Sequence, residues 1–171
     1  AAGDASKARD AGQTIGCYLH ELGFNMDFAP VAGVLTDPGN KTIGTRSFGS
    51  DPELDAAMVA QFTDGLHAED VLSCEKHFPG LGDTNVDTHT GEATTQRSLD
   101  DMRTTDFISF GGGIDAGTDF VMVGHVSCPN VTGNNTPASL SEKMITEVLR
   151  GELGYDGIVI TDSLQMGAVT R

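Results

Sequence analysis

The chain has 171 residues, with 25 Asp plus Glu against 10 Lys plus Arg; its formal charge of −15 argues against unassisted binding to a nucleic-acid backbone or an anionic membrane. At 38% hydrophobic and 20% charged residues it reads as one folded domain with a sizeable core, neither disordered nor collagen-like despite 22 glycines. No apolar run approaches the roughly 20 residues of a spanning helix, no signal peptide opens the chain, and Cys17, Cys74 and Cys128 stand too far apart for a CxxC redox or zinc motif.

Taken in chain order, Ala8, Ala11, Ile15, Tyr18, Leu19 and Leu22 recur at three- and four-residue steps, which predicts an amphipathic helix over 4–22 with Gly23 as its stop. An apolar stretch from Phe24 to Val31 reads as the first strand, and a Gly, Pro, Asp and Asn-rich loop covers 33–49. Ser50 as cap, Pro52 in the first turn and Glu53 as the capping-box partner predict a second helix, with Leu54, Met58, Phe62 and Leu66 as its buried stripe. Val71–Cys74 is the next predicted strand, with Cys74 a small core residue and not a reactive thiol. Residues 76–98 are polar and irregular, a helix is expected over Leu99–Phe110 followed by a glycine-rich turn, and Phe120–Gly124 reads as a strand. After a loop over 127–138, Ser141 is the expected cap of a helix running to Leu153, with Leu140 and Ile145 as a hydrophobic staple. Gly157–Thr161 is the last strand, and a turn begins at Ser163.

The predicted strands are short and apolar throughout, as strands covered by helices are, and each pair is separated by room for a crossover helix. Parallel α/β follows. Neither GxGxxG nor GxxxxGK[ST] is present, so nucleotide-binding open sheets lose their usual signature. Polar residues sit instead at several strand ends, the arrangement of a β/α barrel, though a complete eightfold barrel takes about 250 residues. Four visible strands fit either a small open domain or part of a larger barrel, and the abrupt ends of the sequence favour a part.

Asp162, at the end of the apolar strand GIVIT, can be a nucleophile, a metal ligand or a helix cap. In Asp87-Thr88-His89 the two outer side chains of an extended segment point the same way, so the carboxylate can fix the imidazole tautomer; the bland alternative is a solvated loop. Lys76 and His77, at the end of VLSCE, can donate to a polyhydroxylated ligand or pair with Glu75 or Asp83. Arg46, in IGTRSFG, has the same two readings. His125 either lines a pocket or supports one from behind, and His20 and His67 read as surface histidines.

Together these segments resemble glycoside hydrolase family 3, and within it the β-N-acetylglucosaminidase branch. The resemblance is carried by FNMDFAPVAGV, by IGTRSFGSDPE, by KHFPGLGDTNVDTH at 76–89 and by GYDGIVITDSLQMGAV at 154–169. It implies a (β/α)8 TIM-type barrel of which residues 1–171 hold about four βα units, roughly strands three to six of the N-terminal catalytic domain. No Asp-Gln-Glu-Gly-Gly segment occurs, and Leu81 stands where many members have histidine. The resemblance makes Asp162 the nucleophile and His89 the acid/base paired with Asp87, while Arg46, Lys76 and His77 hold sugar hydroxyls. Two-step retaining chemistry on a terminal non-reducing β-N-acetylglucosamine follows, with an amino-sugar glycoside, drawn from peptidoglycan, as substrate and no cofactor or metal.

Three rivals stand beside this reading. A β-glucosidase of the same family would lack the Asp-x-His loop, and a metal-dependent hydrolase would use His77, Asp83, Asp87 and His89 in a spacing that matches no metal signature. A non-catalytic barrel fragment would leave strand edges unpaired and open to self-association.

Overall fold

The structure, a computed structural model, describes residues 3–84 and 91–170. Its helices are α1 (Ala5–Glu21), α2 (Pro52–His67), α3 (Leu99–Arg103), α4 (Asp106–Asp115), α5 (Pro129–Thr132) and α6 (Lys143–Glu152). Its strands are β1 (Cys74–Phe78), β2 (Ala93–Thr94), β3 (Phe120–Val123), β4 (Val126–Ser127) and β5 (Ile158–Thr161). β1, β3 and β5 form a parallel sheet in the order β1-β3-β5, and β2 pairs with β4, also parallel. Helices pack on the sheet, giving a partial (β/α)8 barrel. Among the described residues no helix is long and apolar enough to cross a membrane.

α1 forms where the periodicity placed it, but it buries a different face. Tyr18 and Leu22 are 63% and 73% exposed, while Ala8, Gly12 and Gly16 are buried at four-residue steps. The reason is close approach to α2: a Cβ on Gly12 would run into the carbonyl oxygen of Phe62, and one on Gly65 into that of Arg9. The small residues set the interface, and the larger apolar ones turn outward. α2 is capped by Asp51 and not by Ser50, because the Asp51 carboxylate accepts from the N–H groups of both Glu53 and Leu54. Met58, Phe62 and Leu66 are buried as the stripe predicts.

The expected strand over 24–31 takes a strand's place beside β1 without forming a ladder. It makes single parallel bridges, Met26 with Leu72 and Val31 with Lys76, and its carbonyls at Ala29 and Pro30 accept from the N–H groups of Cys74 and Lys76. Pro30 has no N–H to return, which breaks the pairing. β1 itself begins at Cys74, three residues later than expected, so Lys76 and His77 lie inside the strand and not after it. Hydropathy ended the strand where the apolar run ended, whereas the backbone ladder continues through Glu75 and Lys76.

The single helix expected over 99–110 is two. The hydroxyls of Thr104 and Thr105 bond back to the carbonyls of Asp100 and Asp101, and the chain breaks there before α4 begins. The expected glycine-rich turn at 111–113 is helical instead, and Gly113 lets α4 approach β1 so closely that a Cβ would collide with the Glu75 carboxyl. Glu142 stands at the start of α6 without a side-chain cap, and Ser141, the expected cap, lies one residue earlier, where its hydroxyl accepts from the N–H of Met144 at 3.3 Å. Leu140, the expected staple, stays 60% exposed, and α6 is wound with wide turns, its end closed by Leu153 N–H on the Val148 carbonyl.

The main core lies between the sheet and the helices, with Phe78 stacked on Phe107 at 5.8 Å and edge-on to Phe110 at 5.3 Å. Cys128 is fully buried there and Cys74 is fully buried in β1, and burial pushes both thiols up to about 12, which keeps them protonated. The same layer holds three buried acids: Asp55 on α2, Glu75 on β1 and Asp106 on α4. Asp106 pairs with Arg97, which also bonds Thr105. Burial holds Glu75 well above the ordinary carboxylate range, and the neighbouring charge of Asp55 pushes the same way.

Candidate active site

Because β1, β3 and β5 are parallel, their C-terminal ends meet at one edge of the sheet, where a barrel gathers its chemistry. A cleft of about 410 Å³ opens there, lined by Phe28, Arg46, Lys76, His77, Met122, Thr161, Asp162 and Ser163. Four of the six residues singled out in the sequence are thus brought together. The other two, Asp87 and His89, lie outside the described residues.

β1 delivers two neighbouring side chains to this cleft, which plain strand alternation forbids. The ladder pairs Lys76 with Met122 and Phe78 with Val123, so His77 is the extra residue of a bulge. Lys76 and His77 therefore both face the cleft, while Glu75 meets Gly113 and Phe78 meets Phe107 on the helix side. Of the two readings given for Lys76 and His77, pairing with Glu75 or Asp83 is the one this geometry disfavours. Glu75 sits on the opposite face, and Asp83 accepts from the Thr95 hydroxyl at 2.6 Å.

Asp162 continues the β3–β5 ladder by one rung, its N–H donating to the Val123 carbonyl at 3.0 Å. Its Oδ1 accepts from the Ser163 N–H at 2.7 Å, and its Oδ2 lies 3.7 Å from His77 Nε2. His77 is 8% exposed, so this contact is largely shielded from water. Arg46 ends a short 3₁₀ turn over Gly44–Arg46 and donates to the Thr42 carbonyl at 2.6 Å, leaving most of its donors toward solvent and the cleft. A carboxylate flanked by an imidazole, with a lysine and an arginine on the same wall, can attack an electrophilic carbon while charged donors hold a polyhydroxylated ligand.

His125 does not line the cleft. It is buried behind it, with Nδ1 on the Ser139 hydroxyl at 2.6 Å and Nε2 on the Ser163 carbonyl at 3.0 Å. His67, expected on the surface, is partly buried and bonds the Asp119 carboxylate at 2.8 Å. Among the described residues no three His, Cys, Asp or Glu side chains gather as metal ligands.

The sequence pattern of the glycosyl hydrolase family 3 N terminal domain matches residues 1–171. The chain belongs to this family. It is 42% identical over 146 residues to a β-hexosaminidase of Stenotrophomonas maltophilia (strain R551-3), covering 85% of this chain and 42% of that protein. Among solved structures, a glycoside hydrolase family 3 β-N-acetylglucosaminidase from Paenibacillus sp. str. FPU-7 superimposes with a TM-score of 0.96 at 42% identity, over 99% of this chain and 32% of that one. A β-N-acetylhexosaminidase from Beutenbergia cavernae DSM 12333 gives a TM-score of 0.89 at 33% identity, over 98% of this chain and 51% of that one. The family 3 chain described here thus spans 32% to 51% of the length of these relatives.

Phe28, Met122, Thr161 and Ser163 also line this family 3 cleft and were not singled out in the sequence. Half-buried Asp27, next to Phe28 in the chain, is raised by burial and pulled back by the charge of Lys76. Residues 24–31 read as one apolar run, and only the bridges to β1 show which of them face inward. Leu81, the departure from the family pattern, is buried in the core and lines no part of the cleft.

Proposed function

We propose that residues 1–171 are part of the catalytic barrel of a retaining β-N-acetylglucosaminidase, acting on terminal non-reducing N-acetylglucosamine of peptidoglycan-derived glycosides. The observation that carries the reading is the Asp162 carboxylate at the end of β5, beside His77 and in one cleft with Lys76 and Arg46. In the first step Asp162 attacks the anomeric carbon as the bond to the leaving oxygen breaks. His89, protonated, gives that oxygen its proton, and a glycosyl ester on Asp162 remains. In the second step neutral His89 takes a proton from water, the water oxygen bonds the anomeric carbon, and the Asp162 carboxylate leaves. Asp87 stabilises the imidazolium, and an imidazole exchanges these roles readily near neutral pH. Arg46, Lys76 and His77 supply donors to the sugar hydroxyls.

The test is hydrolysis of an aryl N-acetyl-β-glucosaminide by the longest protein that contains this chain, beside its Asp162→Ala variant. Turnover lost by at least about 1,000-fold in the variant is the expected result, since a nucleophile acts as part of a unit. Preference for the aryl β-glucoside, or an active Asp162→Ala variant, would overturn the assignment. Faster release from muropeptide fragments than from chitobiose would support the peptidoglycan source. The exposed edge at β5, where Ile158 is 54% exposed, supports self-association of the isolated chain, which sedimentation would reveal.

A further inference from the structure

We propose that His125 is a positioning residue for Asp162, acting through the backbone of Ser163; this rests on the reading of Asp162 as nucleophile. The Ser163 carbonyl can only accept, so the 3.0 Å contact requires a proton on His125 Nε2. In the neutral ring Nδ1 then accepts, and the Ser139 hydroxyl, 2.6 Å away, is its donor. The Ser163 carbonyl takes a second bond from the Met166 N–H at 3.1 Å, while the Ser163 N–H donates to Asp162 Oδ1 at 2.7 Å. Both peptide groups of Ser163 are thereby held, one by His125 and one by the carboxylate it presents. Ser139 is itself tied to the strand end, its N–H on the Gly124 carbonyl at 3.2 Å. The two side chains of the relay are buried, with His125 1% exposed and Ser139 5% exposed, so the donor held against the Ser163 carbonyl is fixed from the interior side. Asp162 stands one residue past the last strand residue, where the ladder gives it a single rung. The histidine does for the following residue what the ladder does for this one.

The test compares His125→Leu, His125→Gln and Ser139→Ala in the longest protein that contains this chain, with an aryl N-acetyl-β-glucosaminide as probe. A small displacement of a nucleophile is costly, so the leucine variant is expected to lose about 10- to 100-fold in kcat with KM changed by no more than about threefold. Glutamine can donate to the Ser163 carbonyl and accept from Ser139, and it is expected to recover most of that loss. Ser139→Ala should fall between them. Imidazole nitrogen shifts of the unaltered protein should show Nε2 as a protonated nitrogen. A kcat within about twofold of the unaltered enzyme in His125→Leu, or a glutamine variant no better than leucine, would sink the proposal. If the leucine variant fails to fold, the glutamine and Ser139→Ala variants decide. If the unaltered protein cleaves no glycoside, the functional reading fails by itself, and amide exchange at Ser163 and Met166 settles the positioning role. Faster exchange in His125→Leu but not in His125→Gln supports it, and unchanged exchange in both overturns it.

Discussion

Replacing Asp55 by Asn is expected to flatten the pH dependence of this chain's stability. Asp55 is fully buried on α2, and burial pushes its carboxyl from the ordinary 3.8 up to about 7; the charge of Asp106 pushes the same way and the Ser109 hydroxyl opposes. An unfolded aspartate releases its proton near 3.8, so between roughly pH 4 and 7 the folded chain keeps a proton the unfolded chain has lost. Stability therefore falls as pH rises through that window and levels off once both states are ionised. At about 1.4 kcal/mol per pH unit, three units make about 4 kcal/mol, the ceiling for this one group. Glu75, held up by its own burial and by Asp55, carries the decline to higher pH, and losing the Asp55 charge eases that as well. Asparagine cannot ionise, so the variant lacks the Asp55 share. Urea unfolding of both proteins at half-unit steps between about pH 4 and 8 measures the difference. Exposed acids held below their ordinary range, Asp4, Asp101 and Glu152, contribute equally to both curves and cancel. The gap should shift in favour of Asp55→Asn by several kcal/mol, on the order of 4, across the window. Parallel curves would refute the reasoning, because they would mean that Asp55 ionises as readily in the fold as out of it.

Three other expectations follow from the packing and the proposed chemistry. Arg97→Met leaves the Asp106 carboxylate buried without its guanidinium and should cost about 3 kcal/mol or more at pH 8, less at pH 5 where Asp106 can take a proton; denaturation at the two pH values measures this. Gly65→Ala puts a methyl against the Arg9 carbonyl and should cost about 1–3 kcal/mol as α1 and α2 part, with helical circular dichroism retained below the melting point. His89→Ala should slow a natural disaccharide by about 100-fold or more yet leave formation of the glycosyl ester from an activated aryl glycoside much less affected; equal losses on both would remove His89 from the acid role.

Much of the architecture was legible because it follows from apolar runs. Phe120–Val123 and Ile158–Thr161 stand where the runs of Val, Ile, Met and Phe placed them, and the resemblance to family 3 through KHFPGLGD and GIVITD pointed to the cleft. The errors share a physical origin. Hydropathy assigned α1 a face of large residues, but helix approach is governed by backbone-to-backbone distance, which Gly12 and Gly65 set. Gly111–Gly113 looked like a turn because glycine is a poor helix former, yet the space that Gly113 leaves is what lets Glu75 stand under α4. β1 was placed three residues early because its second half is charged, and charge is what a strand at a functional edge has reason to carry.

The bulge at His77 joins these observations into one argument. A regular β1 would send Lys76 to the cleft and His77 into the helix layer, against the aromatic rings of Phe107 and Phe110 on α4 and away from Asp162. With one extra residue the strand serves both sides: Glu75 and Phe78 lock it to α4, while Lys76 and His77 project together toward Asp162. The local rule of alternation fails at the one place where the chain needs two adjacent donors on one wall. A break in local consistency at a functional site is what physical selection for a site, as opposed to a core, leaves behind. The stability this requires comes from the opposite face of the same strand, from the aromatic packing of Phe78 against Phe107 and Phe110.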